Sequence, residues 1–191
     1  LEALGKIRAV AMDKTGTLTE GKFKVQSFRT FNGSAETEVL AITLALERLS
    51  SHPLAKAILE YGQSFAGNTL EVKNFAVIPG RGAEGWVNSC LYFAGNHKLA
   101  HELGVCNDEL EAYLAELELQ ALSVIVVGHK PHGDHKGEVL GVFGLGDNLK
   151  ANAPAAIQSL HRIGISKVIV LSGDNQKTVD ALCKAAGLDE G

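Results

Sequence analysis

Ile7-Arg8-Ala9-Val10-Ala11-Met12-Asp13-Lys14-Thr15-Gly16-Thr17-Leu18-Thr19 is the stretch on which the fold turns. Its first half is an apolar run of strand length and reads as a buried strand ending at Asp13. A carboxylate at the carboxyl end of a parallel strand stands where open α/β sheets bind ligands. The glycine and threonines that follow offer backbone N–H groups and hydroxyls of the kind that hold phosphate oxygens. That pattern suits Asp13 as a nucleophile toward a phosphoryl group, with an aspartyl phosphate as product.

The rest of the composition bounds the answer. The 191 residues suffice for one ordinary domain or two small ones. A hydrophobic content of 46% allows a real core. The formal charge of −4 argues against a nucleic-acid partner, which calls for a basic excess. The longest apolar runs are strand-sized, short of the ~20 residues a membrane helix needs, and the start shows no signal-peptide pattern. The piece is therefore expected to be water-soluble by itself. Cys90, Cys106 and Cys183 are scattered and form no C-x-x-C pair, so they read as reduced, structural thiols rather than a cysteine zinc site.

The order of elements is uneven. A second strand–loop–helix unit appears only near the end. Asn152 to Ile163 reads as a helix with Pro154 in its first turn, Lys167 to Leu171 as a strand, Ser172-Gly173-Asp174-Asn175 as a turn and Gln176 to Ala186 as a helix. Between these pieces lie a strand at Phe23 to Thr30, helices at Glu36 to Leu49, Pro53 to Phe65 and Asp108 to Leu119, and short strands at Val72 to Ile78, Gly85 to Cys90 and Leu91 to Gly95. A hairpin spans Ser123 to Gly128 and Glu138 to Phe143. The fold class expected is α/β: an incomplete doubly wound parallel sheet in residues 1–22 and 142–191, interrupted by an α+β antiparallel module in residues 23–141.

Asp13-Lys14-Thr15-Gly16-Thr17-Leu18-Thr19 resembles the phosphorylation motif of P-type ATPases, ion pumps that pass through a phosphoaspartate. The resemblance implies a haloacid-dehalogenase-like sheet, ATP as phosphoryl donor and Mg2+ bound by Asp13 and the backbone carbonyl of Thr15. Lys14 either adds positive charge there or points into solvent. Soluble dehalogenase-type phosphatases carry a second Asp two residues after the nucleophile as general acid and base. Thr15 stands there instead, which favours a pump intermediate over a free-running phosphatase. Ser172-Gly173-Asp174 resembles the family's Thr-Gly-Asp loop, with hydroxyl and N–H for phosphate oxygens and Asp174 to pair with Lys14 or organise the metal. Asp147 resembles another family position, although turn chemistry explains it nearly as well.

Within the insert, Glu47 ends one helix and His52-Pro53 opens the next, so both side chains can face one cleft. A carboxylate can accept from an adenine amino group, and an imidazole can stack on or hydrogen-bond to the ring. The string resembles the His-Pro motif of the heavy-metal-transporting class, with Ser51 where that class often has Glu. Gly80-Arg81-Gly82-Ala83-Glu84-Gly85 matches G-x-G-x-x-G, but it runs into the strand-like Trp86-Val87 instead of opening a helix, so it is not read as a dinucleotide fingerprint. It resembles that class's Gly-x-Gly nucleotide loop, and Gly95-Asn96 resembles a further element of the same site. His129, His132 and His135 lie in a polar hairpin tip that is either a solvated turn or a soft-cation ligand set.

The resemblance spans essentially the whole chain. It implies an ATP-binding and phosphorylation headpiece on the cytoplasmic face of a membrane. Transmembrane and actuator domains of the same parent chain and a heavy-metal cation would be its partners. The family's second acidic motif, Gly-Asp-Gly-x-Asn-Asp, and its phosphate-contacting Lys have no match after Asp174, so the chain is expected to be part of a larger pump. The competing expectations are a soluble dehalogenase-type phosphohydrolase and a non-catalytic nucleotide- or metal-sensing module.

Overall fold

The computed structural model describes residues 7–65, 67, 69–171 and 176–188. In chain order the elements are β1 (Ala9–Asp13), β2 (Thr19–Thr30), α1 (Glu36–Glu47), α2 (Pro53–Tyr61), β3 (Lys73–Ile78), β4 (Gly82–Val87), β5 (Cys90–Gly95), α3 (His97–Glu102), α4 (Asp108–Leu119), β6 (Ser123–His129), β7 (Glu138–Leu149), α5 (Ala153–Arg162), β8 (Lys167–Leu171) and α6 (Gln176–Ala186). They form two units. One takes Leu1–Lys22, Glu118–Ser123 and Asp147–Gly191, and the other takes Phe23–Leu117 and Val124–Gly146. The second unit ends at Gly146, within β7, which runs unbroken from Glu138 to Leu149.

In the first unit β1 and β8 pair in parallel, with Val10 opposite Val168, Met12 opposite Val170 and Asp13 opposite Leu171. Val10, Met12, Val168 and Val170 share a core with Leu18, with Ile157 of α5, and with Val179 and Leu182 of α6. The core thus covers one face of the strand pair. β1 departs from the expected buried strand: Val10 and Met12 are half-buried, while Ala9 and Ala11 are exposed. An alternation of that kind marks a strand covered on one side only. α5 begins with proline in its first turn, where the missing N–H breaks no helical bond.

In the second unit the sheet is six-stranded and antiparallel, in the order β2-β7-β6-β5-β4-β3. α1 and α2 pack on it, and Val39, Ile42, Leu46 and Ile58 meet Val127, Phe143 and Leu145 in one core. Phe28 stacks on Phe143 with ring centroids 4.2 Å apart. Each fully buried side chain of this size contributes about 1.5–3 kcal/mol, so this core organises the unit. α1 is buried along its whole second half, from Ile42 to Glu47. Thr43 is tolerated there because its hydroxyl donates to the Val39 carbonyl at 2.6 Å.

Several elements differ from the sequence-based expectation. The strand expected over Gly85 to Cys90 stops at Val87, because Asn88 and Ser89 both take positive φ, +46° and +71°, and form a two-residue turn between β4 and β5. α2 stops at Tyr61, and Gly62–Ser64 continue as a tighter turn. Gly62 lies against Leu44 so closely that a Cβ would meet its Cδ2 at 2.5 Å. α3 has no counterpart in the sequence reading, since its six residues are too few to show a period.

The β4–β5 pairing sets Gly82 opposite Gly95. At Gly82 φ is +152°, and an added Cβ would meet the Ala94 carbonyl oxygen at 2.2 Å and the Gly95 Cα at 2.4 Å. Gly82→Ala is therefore expected to destabilise the protein by about 2–4 kcal/mol. Gly33→Ala, at φ +74° with open space around the new methyl, should cost about 1–2 kcal/mol. Urea unfolding of the two variants checks the order.

Candidate functional site

Asp13 ends β1 exposed to solvent, and the chain turns sharply behind it. Thr15 (φ −75°, ψ 123°) and Gly16 (φ 77°, ψ −13°) have the dihedral angles of a type II turn, which needs a positive φ at its third residue. Glycine supplies that angle without strain. Thr15, Gly16 and Thr17 are exposed, whereas Lys14 is only 3% exposed. Lys14 therefore does not point into solvent, one of the two placements expected for it.

The loop is held from behind by residues far along the chain. The buried Thr19 hydroxyl accepts from the Gly16 N–H at 3.2 Å and donates toward the Lys14 carbonyl at 3.1 Å and the Asp147 carboxylate. The other Asp147 oxygen accepts from the Lys22 N–H at 3.0 Å. Lys150 adds two bonds, from its Nζ to the Gly16 carbonyl at 2.5 Å and from its backbone N–H to the Leu18 carbonyl at 2.9 Å. Sequence reasoning weighed Asp147 without settling its role and missed Thr19 and Lys150. Nothing in their spacing signals a contact across 128 positions.

Ser172, Gly173 and Asp174 lie outside the described residues. The register places Leu171 beside Asp13 at the same end of the parallel pair.

In the second unit, Glu47 and His52 flank the corner between α1 and α2. Glu47 is 6% exposed. Burial pushes its carboxyl up to about 7, against a smaller opposing effect of the Ser50 hydrogen bond. His52 is exposed and caps α2: its Nδ1 accepts from the Leu54 N–H at 3.3 Å. That bond leaves the neutral ring with its proton on Nε2. Pro53 in the first helical turn completes the corner.

The glycines divide by role. Gly80 turns the chain between β3 and β4 at φ +67°, and its carbonyl accepts from Asn96 Nδ2 at 3.0 Å. Asn96 also caps α3, its Oδ1 accepting from the Leu99 N–H at 3.0 Å, and its own N–H donates to the Arg81 carbonyl at 2.8 Å. Gly80, Gly82, Gly95 and Asn96 thus form one backbone surface at the end of β4 and β5. Gly85 does not join it. It sits farther along β4, where an added Cβ would meet Val72 Cγ1 at 2.5 Å and Leu46 Cδ2 at 3.1 Å, so its glycine serves packing. β4 runs from Gly82 as a strand, as its failure to open a helix requires.

Residues 7–191 match the haloacid dehalogenase-like hydrolase family. The chain is 36% identical over 195 residues to the cadmium-transporting ATPase of Staphylococcus aureus, a match covering all of this chain and 26% of that protein. To the copper-exporting P-type ATPase B of Archaeoglobus fulgidus it is 38% identical over 184 residues, covering 96% of this chain and 25% of that protein. Its fold is similar to that of a zinc-transporting PIB-type ATPase solved in its E2.Pi state, with a TM-score of 0.68 at 31% identity, over 100% of this chain and 30% of that one. The chain spans about a quarter of the length of the curated relatives it matches. Asp13 on its braced turn, carried by a parallel strand pair, fits this kinship: the chain belongs to the haloacid dehalogenase-like hydrolase family and is homologous over its length to a segment of the heavy-metal P-type ATPases.

Proposed function

We propose that this chain is the ATP-binding and aspartyl-phosphorylation headpiece of a heavy-metal cation-transporting P-type ATPase. The observation that carries this reading is the exposed Asp13 on a braced turn with Thr15 two residues on. An Asp13 oxygen attacks the γ-phosphorus, the bond from that phosphorus to its bridging oxygen breaks, and ADP leaves. Thr15 has no group that can activate water at neutral pH, so the aspartyl phosphate persists until another domain supplies a base.

Asp13 and the Thr15 carbonyl are hard oxygen donors exposed on one loop, a donor set that fits Mg2+. When bound, the ion offsets the repulsion between carboxylate and phosphate. Lys14 contributes a positive charge beside the loop, and Ser172, Gly173 and Asp174 are proposed to supply hydroxyl, N–H and carboxylate toward the phosphoryl group.

The second unit holds the nucleotide. Gly80, Gly82, Gly95 and Asn96 offer backbone close enough for a phosphate or ribose to approach. Glu47 and His52 take the adenine. In its protonated form the Glu47 carboxyl donates one hydrogen bond and accepts another, which matches the ring nitrogen and amino group of adenine. The parent protein would set this headpiece at the cytoplasmic face of a membrane, with transmembrane and actuator domains and the transported cation as partners. Among the described residues no helix is long and apolar enough to cross a membrane. Relatives named for cadmium, copper and zinc transport leave the ion of this protein open.

Calorimetric titration with a non-hydrolysable ATP analogue tests the nucleotide site. Glu47→Ala and His52→Ala should each weaken binding about tenfold or more, while Asp13→Asn leaves it unchanged. Equal affinity in all three variants refutes the assignment. The purified chain should show little steady Mg2+-dependent ATPase activity. In the intact transporter an acid-stable phosphoenzyme should form from labelled ATP and vanish in Asp13→Asn.

Glu47 also gives the protein a pH signature. Its carboxyl binds a proton more readily when folded, at about 7, than at its ordinary value of 4.5. The folded state therefore holds more protons between those values. The linked stabilisation, roughly 2–4 kcal/mol, is complete below the unfolded value and is lost as pH rises through about 7. Urea midpoints should fall over that window, and ATP-analogue affinity should fall with them. Glu47→Gln, which donates and accepts at every pH, should flatten both profiles.

A further inference from the structure

Four side chains outside the proposed nucleotide and phosphoryl sites converge where α3, the loop after it and α4 meet. His97 and His101 are four residues apart on α3, hence on one face. Their rings stack with centroids 4.8 Å apart. Glu111, in the first turn of α4, reaches both: Oε2 is 3.0 Å from His97 Nε2, and Oε1 is 3.0 Å from His101 Nε2. Cys106 lies on the loop between the helices, half-buried, with its thiol hydrogen-bonded to Glu111. One donor atom from each of the four lies within 4.8 Å of all the others.

The elements carrying them are well anchored. Asn96 caps α3, and Asn107 Oδ1 accepts from the Leu110 N–H at 2.9 Å at the start of α4. We propose that His97, His101, Cys106 and Glu111 form a binding site for one zinc-class divalent cation, held by two imidazole nitrogens, a thiolate and a carboxylate oxygen.

The donor set selects the ion. Mg2+ and Ca2+ take oxygen ligands, whereas two imidazoles and one sulfur suit Zn2+, Cd2+ or Co2+. One thiolate and one carboxylate bring two negative charges, which balance the cation. Tetrahedral zinc, with bonds of ~2.0–2.3 Å, spaces its ligand atoms roughly 3.3–3.8 Å apart, so the cluster must close by about 1 Å. His101 is exposed and Glu111 is half-exposed, so rotation of their side chains accomplishes this.

The proton balance is also defined. Burial, and then the neighbouring Glu111, push the Cys106 thiol up to about 12, so without metal it stays protonated. Burial pushes Glu111 up, but hydrogen bonds from Cys106 and His97 and the charge of the nearby imidazoles outweigh it and hold the carboxyl below its ordinary value. Binding breaks the S–H bond, forms the metal–sulfur bond and releases the proton to the buffer.

Cobalt titration of the 191-residue chain tests the proposal. The expected result is a one-to-one complex with the intense ligand-field bands of tetrahedral Co2+ and a thiolate-to-cobalt charge-transfer band. Zn2+ should displace the cobalt, and Mg2+ should not. Cys106→Ser should abolish the charge-transfer band. Cys106→Ser and His101→Ala should each weaken binding more than about 100-fold, beyond the cost of losing a partner hydrogen-bonded to a ligand. ATP-analogue binding by His101→Ala shows that this variant is folded. The triple variant His129→Ala, His132→Ala, His135→Ala should bind cobalt like the wild type. Weak octahedral bands without charge transfer in the wild type overturn the proposal. So does unchanged affinity in Cys106→Ser and His101→Ala, or loss of binding in the triple variant alone.

Discussion

A single carboxylate, Asp147, underlies the geometry of the loop that follows β1. One of its oxygens takes the Thr19 hydroxyl and the other takes the Lys22 N–H. Thr19 in turn engages the backbone at Lys14 and Gly16. The turn that presents Asp13 is therefore tied at its base to a strand that returns to this unit more than a hundred residues later. A hydrogen bond to a charged acceptor contributes about 1.5–3 kcal/mol, and the bond to Thr19 falls on a buried hydroxyl, whereas the bond from Lys22 is exposed to water. The nucleophile proposed at Asp13 must be exposed, and an exposed loop tends to be mobile. Bracing from behind meets both requirements, since the bonds fall on Thr19 and Lys22 and leave Asp13, Thr15 and Thr17 open.

The second unit meets a related constraint by different means. A polyanion can approach backbone N–H groups only where no side chain intervenes. β4 and β5 supply such a surface by setting Gly82 against Gly95, where even a methyl group would overlap the opposing backbone. Asn96 then ties the surface together, holding the Gly80 carbonyl with its amide and starting α3 with its oxygen. At the other corner, burial pushes the Glu47 carboxyl up to about 7, so that it is shared between its protonated and charged forms near neutrality. The glycines are thus not equivalent: Gly85, in the same string, owes its identity to Val72 and Leu46 packed against it.

Much of this was legible in the residues. Asp13 with its Gly and Thr neighbours, the corner at Glu47 and His52-Pro53, and the turn at Gly80 are local signals, written within a few positions of the chain. The exact ranges of α4, β8 and α6 follow from strong periodicity and clear stops. What escaped was either too short or too distant. α3 has six residues and no readable period, and the turn at Asn88 and Ser89 was hidden inside an apolar run. β1 looked buried because its composition is apolar, yet only the placement of Val168, Val170 and the helices decides which of its faces is covered. Cys106 looked like a lone structural thiol, since its neighbours in space come from α3 and α4 and no C-x-x-C pair announces them.

The sequence by itself determined the family, the α/β class with its separate antiparallel module, and the turn of Gly and Thr that follows Asp13 at the end of β1, because each rests on patterns that span a turn or a strand. Only the tertiary structure decided that Thr19 and Asp147 brace the loop, that Lys14 is buried, that Gly82 faces Gly95 while Gly85 faces Val72 and Leu46, and that two histidines, a cysteine and a glutamate meet. The physical reason is packing. Which remote residues touch depends on how helices and strands close over a shared core, and residue spacing carries no record of that closure.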